Sequence, residues 1–119
     1  MSHDDVVRRF AEACLRRDIA AVEAVLDAEV VAVCDGGGQV PAAVHPIRGA
    51  VEVALLVLGL LSGRPDTEVA VEAVNGSAGL ALRRDGRATA VISVGGTGSK
   101  ITALWVVLNP AKLRGWHRR

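Results

Sequence analysis

The stretch that decides the fold is Val30-Val31-Ala32-Val33-Cys34-Asp35-Gly36-Gly37-Gly38. Its β-branched residues are typical of a strand, and the three glycines that follow indicate a turn. The chain before this strand has the apolar spacing of helices, and the chain after it indicates one more helix and then four strands. We therefore predict a single α+β domain over residues 1–119.

The composition is that of a globular domain, because half of the 119 residues are hydrophobic and the net charge is only +1. This charge balance gives no general attraction to nucleic acid or to a membrane, so we expect neither as a partner. The longest apolar run, 53–61, is far shorter than the ~20 residues that span a bilayer, and the polar N-terminus is not a signal peptide. Cys14 and Cys34 have no metal-ligand spacing and are interpreted as buried thiols of a cytoplasmic protein. We expect no metal and no cofactor.

Three helices are predicted. Ser2 and Asp5 have the spacing of a capping box, and the apolar residues after them recur every three or four positions. Asp18 is the expected N-cap of a second, short helix. A third helix, over about 50–62, follows Gly49 and is apolar on nearly all sides. We expect this helix to be buried nearly all round.

The second half of the chain has the two-residue periodicity of strands. The predicted strands span 67–74, 77–84, 88–94 and 99–108. Asn75-Gly76 and Asp85-Gly86 are typical hairpin turns. Three N-terminal helices covering one face of such a sheet would bend it into a cone. We predict that its open end, beside Asp35, admits a ligand.

Two charged segments are interpreted as solvated surface. Arg83, Arg84 and Asp85 indicate the exposed tip of a hairpin. The segment 111–119 indicates a frayed basic tail, in which contact with nucleic acid is the less favoured alternative.

Three short motifs carry a resemblance to a known family. They are Asp35-Gly36-Gly37-Gly38, Pro46-Ile47-Arg48-Gly49 and Asn109-Pro110-Ala111-Lys112-Leu113. With the order of elements, they resemble the nuclear-transport-factor-2-like superfamily in its SnoaL-like branch, and within it the C-terminal domain of extracytoplasmic-function sigma factors. The resemblance covers almost the whole chain and implies a cystatin-like α+β barrel, in which a bent antiparallel sheet wraps around three N-terminal helices. Gln39 and Ala111 depart from the pattern, since these relatives usually carry Lys and Asp there.

The same resemblance limits the partners. The sigma regions that bind polymerase and promoter are absent from this sequence, so RNA polymerase is expected as a partner only for a longer chain. We interpret the chain as an excised domain or a stand-alone relative. A homodimer is expected through the outer side of the sheet, which is predicted to carry Glu68, Ala70, Glu72, Leu80 and Val91.

Asp35 has two interpretations. Enzymes related to ketosteroid isomerase carry a general base at a similar position, and the resemblance extends that role to Asp35. Alternatively, its oxygens accept hydrogen bonds from the N–H groups of the glycine turn, which we favour. The chain has no Tyr to act as the oxyanion donor that isomerase chemistry needs.

Six further residues are candidates for the pocket or its mouth. They are Gly36, Gly37, His45, Arg48, Trp105 and Asn109. His45 would be a second catalytic group if its imidazole pairs with Asp35, although an exposed loop position is the alternative. Arg48 would contact an anion or cap carbonyl groups. Trp105 would lie in the core or the pocket wall, with a dimer contact as the less favoured alternative. Asn109 would form a hydrogen bond across the mouth to the glycine turn.

Two functions remain open. The favoured one is a non-catalytic regulatory module that binds a small hydrophobic molecule or a protein. The alternative is a stand-alone isomerase, cyclase or epoxide hydrolase that acts on a hydrophobic ketone, epoxide or polyketide with Asp35 as general base.

Overall fold

The computed structural model describes residues 1–36 and 46–118. The helices are α1 (His3–Leu15), α2 (Ile19–Val25), α3 (Ala50–Gly59) and α4 (Pro110–Leu113), followed by a 3₁₀ turn at Arg114–Trp116. The strands are β1 (Leu26–Asp35), β2 (Ile47–Arg48), β3 (Glu68–Val74), β4 (Ser77–Arg84), β5 (Arg87–Thr97) and β6 (Lys100–Val107). Gly37 and His45 of the predicted site lie outside the described residues.

The first two helices begin where the sequence predicts. The Asp5 N–H donates to Ser2 Oγ at 3.2 Å and the Ser2 N–H donates to Asp5 Oδ2 at 3.3 Å, which completes the capping box. Asp18 accepts a hydrogen bond from the Ala21 N–H at 3.1 Å and so caps α2. These caps satisfy backbone donors that a helix leaves unpaired at its start.

The strands form one sheet in the order β2-β1-β6-β5-β4-β3. The predicted α+β class is confirmed, and both hairpins turn at the predicted Asn-Gly and Asp-Gly pairs with positive φ. One pairing differs from the antiparallel prediction, because β1 and β6 run parallel. The cause is topological: β1 precedes α3 and the four-strand meander, and the last strand of that meander returns beside β1 in the same direction.

The sheet is curved and does not close on itself. Its pairing registers shift in β1 between Leu26 and Val31, in β4 between Leu82 and Arg83, and in β5 between Gly95 and Gly96. Such irregularities leave an extra residue on one strand and increase its local bend and twist. The bent sheet therefore arises from backbone irregularities as well as from the helices packed against it.

The sheet has two differently covered faces. The inner face packs against α1–α3, and Ile92, Leu104 and Val106 contribute buried side chains to the core there. The outer face is covered in part by α4 and the 3₁₀ turn, where Leu113 packs with Ala81 and other buried residues. The remainder of the outer face is available for contacts with other molecules.

The third helix is less buried than predicted. Val53 and Val57 are fully buried, but Val51 and Leu55 are each about half exposed. The prediction of burial all round is therefore wrong. The helix packs against β1 and α2 from one side, and a single packed side covers only part of a helix's circumference.

Candidate functional site

Asp35 lies at the end of β1 and faces the outer side of the sheet. Successive side chains of a strand point to opposite faces, and Ala32 and Cys34 pack into the helix-facing core. The Asp35 side chain therefore points the other way, where 19% of its surface is exposed.

One partner of Asp35 comes from the C-terminal motif, whereas Gly37 and Gly38 of the predicted glycine turn lie outside the described residues. Asp35 Oδ2 accepts a hydrogen bond from Lys112 Nζ at 2.6 Å, which forms an ion pair between β1 and α4. The Leu108 N–H donates to the Asp35 carbonyl at 2.7 Å, so the backbone is joined at the same place. Two of the three motifs that carry the family resemblance thus meet in space.

The residue that joins these motifs was not among the predicted site residues. Asn109 was predicted to bond to the glycine turn, most of which lies outside the described residues; its Oδ1 accepts a hydrogen bond from the Ala111 N–H at 3.1 Å and caps α4. Among the described residues, Lys112 forms a link between the two motifs. The signal was present in the sequence, because Lys112 is the charged residue of the Asn-Pro-x-Lys-Leu motif.

The other predicted pocket residues lie at different distances from Asp35. Gly36 is buried directly after β1. Arg48 is exposed on β2 and pairs with Val31, four residues before Asp35 along β1. Four strand residues span about 13 Å, so Arg48 is not brought to the Asp35 carboxylate.

Trp105 lies on the outer face of β6 rather than in the core, and 49% of its surface is exposed. It lines a shallow groove of about 250 Å³ that also contacts Trp116 and Lys112. Both tryptophans of the chain therefore border the same groove.

The predicted hairpin tip and basic tail are not simply solvated, which corrects the sequence interpretation. Arg83 is only 2% exposed, its Nε donates to the Trp116 carbonyl at 2.7 Å, and its guanidinium forms an ion pair with Glu72. Arg118 reaches the same carboxylate at 2.8 Å. These contacts fix the segment after α4 against the sheet, which is why the tail has a defined path.

The charges around Glu72 shift its titration. The hydrogen bond from Arg83, and then the one from Arg118, hold the pKa of the Glu72 carboxyl below its ordinary value. Both interactions favour the charged form of the carboxyl group. Glu72 is therefore a paired carboxylate that holds the C-terminal segment, and it does not contribute a free charge to the outer face.

Two other kinds of site that the described residues could form are metal-ligand clusters and reactive thiols. Within 1–36 and 46–118, no three His, Cys, Asp or Glu side chains cluster as metal ligands would. Burial raises the pKa of the Cys14 thiol to about 12, so this thiol stays protonated at neutral pH. In the same ranges, none of the helices has the length and apolar character needed to cross a bilayer.

Comparison with solved structures gives the fold relatives. The Mycobacterium tuberculosis extracytoplasmic function sigma factor SigJ matches 95% of this chain with a TM-score of 0.72 and 27% identity. An NTF2-like protein from Cytophaga hutchinsonii matches 95% of this chain and 95% of its own, with a TM-score of 0.63 and 14% identity. The chain has the nuclear-transport-factor-2-like fold.

This NTF2-like domain also resembles an enzyme of the same fold. A LEH-like epoxide hydrolase of M. tuberculosis matches 95% of the domain and 86% of its own chain, with a TM-score of 0.56 and 18% identity. At that identity the likeness concerns the fold alone. No protein-family model and no curated protein sequence matches the domain.

The match to SigJ covers nearly all of this chain but less than half of SigJ. The NTF2-like domain spans 44% of the SigJ chain. The activity of the whole sigma factor therefore does not transfer to this domain from the likeness.

Proposed function

We propose that this chain is a cytoplasmic, non-catalytic, protein-binding regulatory module of the kind suggested by its likeness to SigJ. The ion pair between Asp35 and Lys112 is the observation that supports this most directly. A general base must accept a proton in the reaction, and protonation of Asp35 would break its 2.6 Å contact with the Lys112 ammonium. The pair therefore favours a structural role for Asp35 over the base of an enzyme.

The structural role is to connect the end of β1 to α4. In the parallel pair, Asp35 stands beside Val107, and α4 begins three residues after Val107. An ion pair at this point holds α4 over the outer face, where Leu113 is buried. Regulation by protein contact needs a surface of defined shape, and the pair helps to maintain that shape.

The ion pair is tested by a double-mutant cycle. We expect Asp35→Asn and Lys112→Met each to lower the free energy of unfolding by about 1 kcal/mol, since Lys112 is largely exposed. The double variant should lose little more free energy of unfolding than either single variant, because the two substitutions remove the same interaction. Chemical denaturation measures all three, and strictly additive losses would show that the pair is not coupled.

The regulatory function is tested in a chimera. In full-length SigJ, the part matched by this chain is replaced by this chain, and transcription with RNA polymerase is measured in vitro. We expect the chimera to differ from SigJ that lacks this part, and the Asp35→Asn chimera to keep most of that difference, because loss of the pair lowers the free energy of unfolding by only about 1 kcal/mol. A chimera equivalent to truncated SigJ would contradict the proposal. Turnover of an epoxide or ketone that requires Asp35 would favour the enzyme instead.

A homodimer is proposed through the uncovered part of the outer face. Val31 and Val33 of β1 stand directly opposite Ala103 and Trp105 of β6, and these four residues form what we call the Trp105 patch. The patch carries no charge and has a half-exposed tryptophan, the residue type most enriched in interface hot spots. This is a different surface from the one predicted, because Leu80 lies on the inner face and Glu72 is paired with arginines.

The dimer is tested by light scattering during size-exclusion chromatography. We expect the wild-type chain to be dimeric at micromolar concentration and Trp105→Ser to be monomeric, because the serine removes the largest apolar group of the patch. Leu55→Ser is the matched control, since Leu55 is similarly exposed but lies on α3. A monomeric wild-type chain would exclude the dimer. If only the Leu55→Ser control dissociates, the dimer contact lies on α3 and not at the Trp105 patch.

A further inference from the structure

We infer that a second surface of this chain is a binding site for a small organic anion with an apolar body, such as an aromatic or medium-chain carboxylate. The site is a cleft of about 450 Å³ between the start of β5 and the C-terminal segment. The residues that line it are Arg87, Ala88, Thr89, Leu108, Pro110, Leu113, Arg114 and His117. We call it the basic cleft; it is separate from the Trp105 patch and from the Asp35–Lys112 pair.

The cationic groups of the basic cleft have no acidic partner among the residues that the structure describes. Within residues 1–36 and 46–118, neither Arg87 nor Arg114 forms an ion pair or a side-chain hydrogen bond. No acidic residue is among the described lining residues. Elsewhere on this surface the arginines are paired, as Arg83 and Arg118 are with Glu72. The two unpaired guanidinium groups therefore leave a local excess of positive charge that suits a carboxylate.

The hydrogen bond made by His117 adds a donor to the cleft. Its Nδ1 accepts a hydrogen bond from the Ala88 N–H at 2.8 Å. A neutral imidazole with an accepting Nδ1 must carry its proton on Nε2, so Nε2 is a donor. The same bond fixes the ring against β5. His117 thus offers a hydrogen-bond donor beside the two guanidinium groups.

The remaining lining residues favour an apolar body on the ligand. Leu108, Pro110 and Leu113 contribute hydrocarbon surface next to the charged groups. A site for inorganic phosphate alone would gain nothing from this surface, whereas an aromatic or alkyl chain would bury area against it. The volume of about 450 Å³ falls in the range typical of small-molecule sites.

Binding is tested with decanoate and naphthoate by isothermal titration calorimetry and by ¹⁵N-resolved NMR. We expect saturable binding, with the Ala88 amide signal among those that shift, because this amide donates to His117. Arg87→Gln and Arg114→Gln should each weaken binding about tenfold, as expected for loss of a charge-assisted hydrogen bond. Arg64→Gln is the matched control, because Arg64 is exposed and lies outside the cleft. Its affinity should equal that of the wild type.

Three further measurements can overturn the inference. If decanol binds as tightly as decanoate, the cleft does not recognise the negative charge. If inorganic phosphate binds as tightly as the carboxylates, the cleft does not recognise their apolar body. Absence of binding by either carboxylate at millimolar concentration would exclude the site. These results are independent of the SigJ chimera, so failure of the cleft is distinguishable from failure of the regulatory proposal.

Discussion

Replacing Arg83 with methionine is expected to lower the free energy of unfolding by about 3 kcal/mol, the largest effect of any charged residue considered. Methionine is apolar and of similar length, so it fills the space but makes no hydrogen bond. The Trp116 carbonyl loses its donor, and the partly buried Glu72 keeps only Arg118 as a partner. Denaturation with urea measures the loss.

The neighbouring arginine provides the matched control. Arg84 pairs with Asp66 at 3.5 Å, and both side chains are considerably exposed. Arg84→Met should therefore cost less than about 1 kcal/mol. Equal losses for the two variants would show that the burial of Arg83 has no energetic consequence.

The contribution of Arg83 should also depend on pH. Arg83 and Arg118 lower the pKa of Glu72 in the folded chain. The ionised carboxylate therefore stabilises the fold at pH values above 4.5, which is the ordinary pKa of a glutamate side chain. This stabilisation is lost as the pH falls through the folded-state pKa, where Glu72 becomes protonated. The difference in free energy of unfolding between wild type and Arg83→Met should therefore become smaller at acidic pH. A difference that stays constant with pH would contradict the role of Glu72.

Replacing Gly79 with alanine is expected to have the second large effect, a loss of about 3 kcal/mol in the free energy of unfolding. Gly79 lies in β4, between its partners Glu72 and Ser93. A Cβ atom there would overlap the Ile92 carbonyl oxygen and stand 2.8 Å from Val74 Cγ2. The carbonyl belongs to the backbone of β5, so the overlap cannot be relieved by a change of rotamer, and the strands must separate.

Gly95→Ala is the control for Gly79→Ala. Gly95 also lies in a strand of the sheet, but a Cβ atom there would meet the Ala103 side chain at 3.6 Å, an ordinary van der Waals distance. This variant should be neutral or slightly more stable, because alanine loses less backbone entropy than glycine on folding. Thermal unfolding of both variants tests the prediction. The prediction is wrong if Gly79→Ala and Gly95→Ala change the unfolding temperature equally.

Most elements of this fold could be predicted from local sequence signals, but β2, α4 and the 3₁₀ turn were not. The capping box at Ser2 and Asp5 and the two hairpin turns depend on residues close together in the chain, and the structure confirms them. The direction of β1 relative to β6 could not be predicted in this way. It depends on how the chain returns to the sheet after all the intervening elements, and no local pattern records that path.

The candidate site was less predictable for a related reason. The pairing of Asp35 with Lys112, and of Arg83 with Glu72 and the Trp116 carbonyl, joins residues that are distant in sequence. Charged residues in a hairpin and a tail usually indicate solvent exposure, because long charged side chains are rarely buried without a partner. The partner of Arg83 became visible only when β3, β4 and the C-terminal segment were placed together.

The parallel pairing of β1 with β6 has a consequence for synthesis on the ribosome. Within this domain, translation produces β1 well before its neighbour β6, so a nascent chain that ends within β5 has two strand edges without partners. Unpaired edges readily pair with other chains. The domain therefore completes its sheet only after β6 has emerged. A translation product halted before β6 is the species that we expect chaperones to bind and that we expect to aggregate.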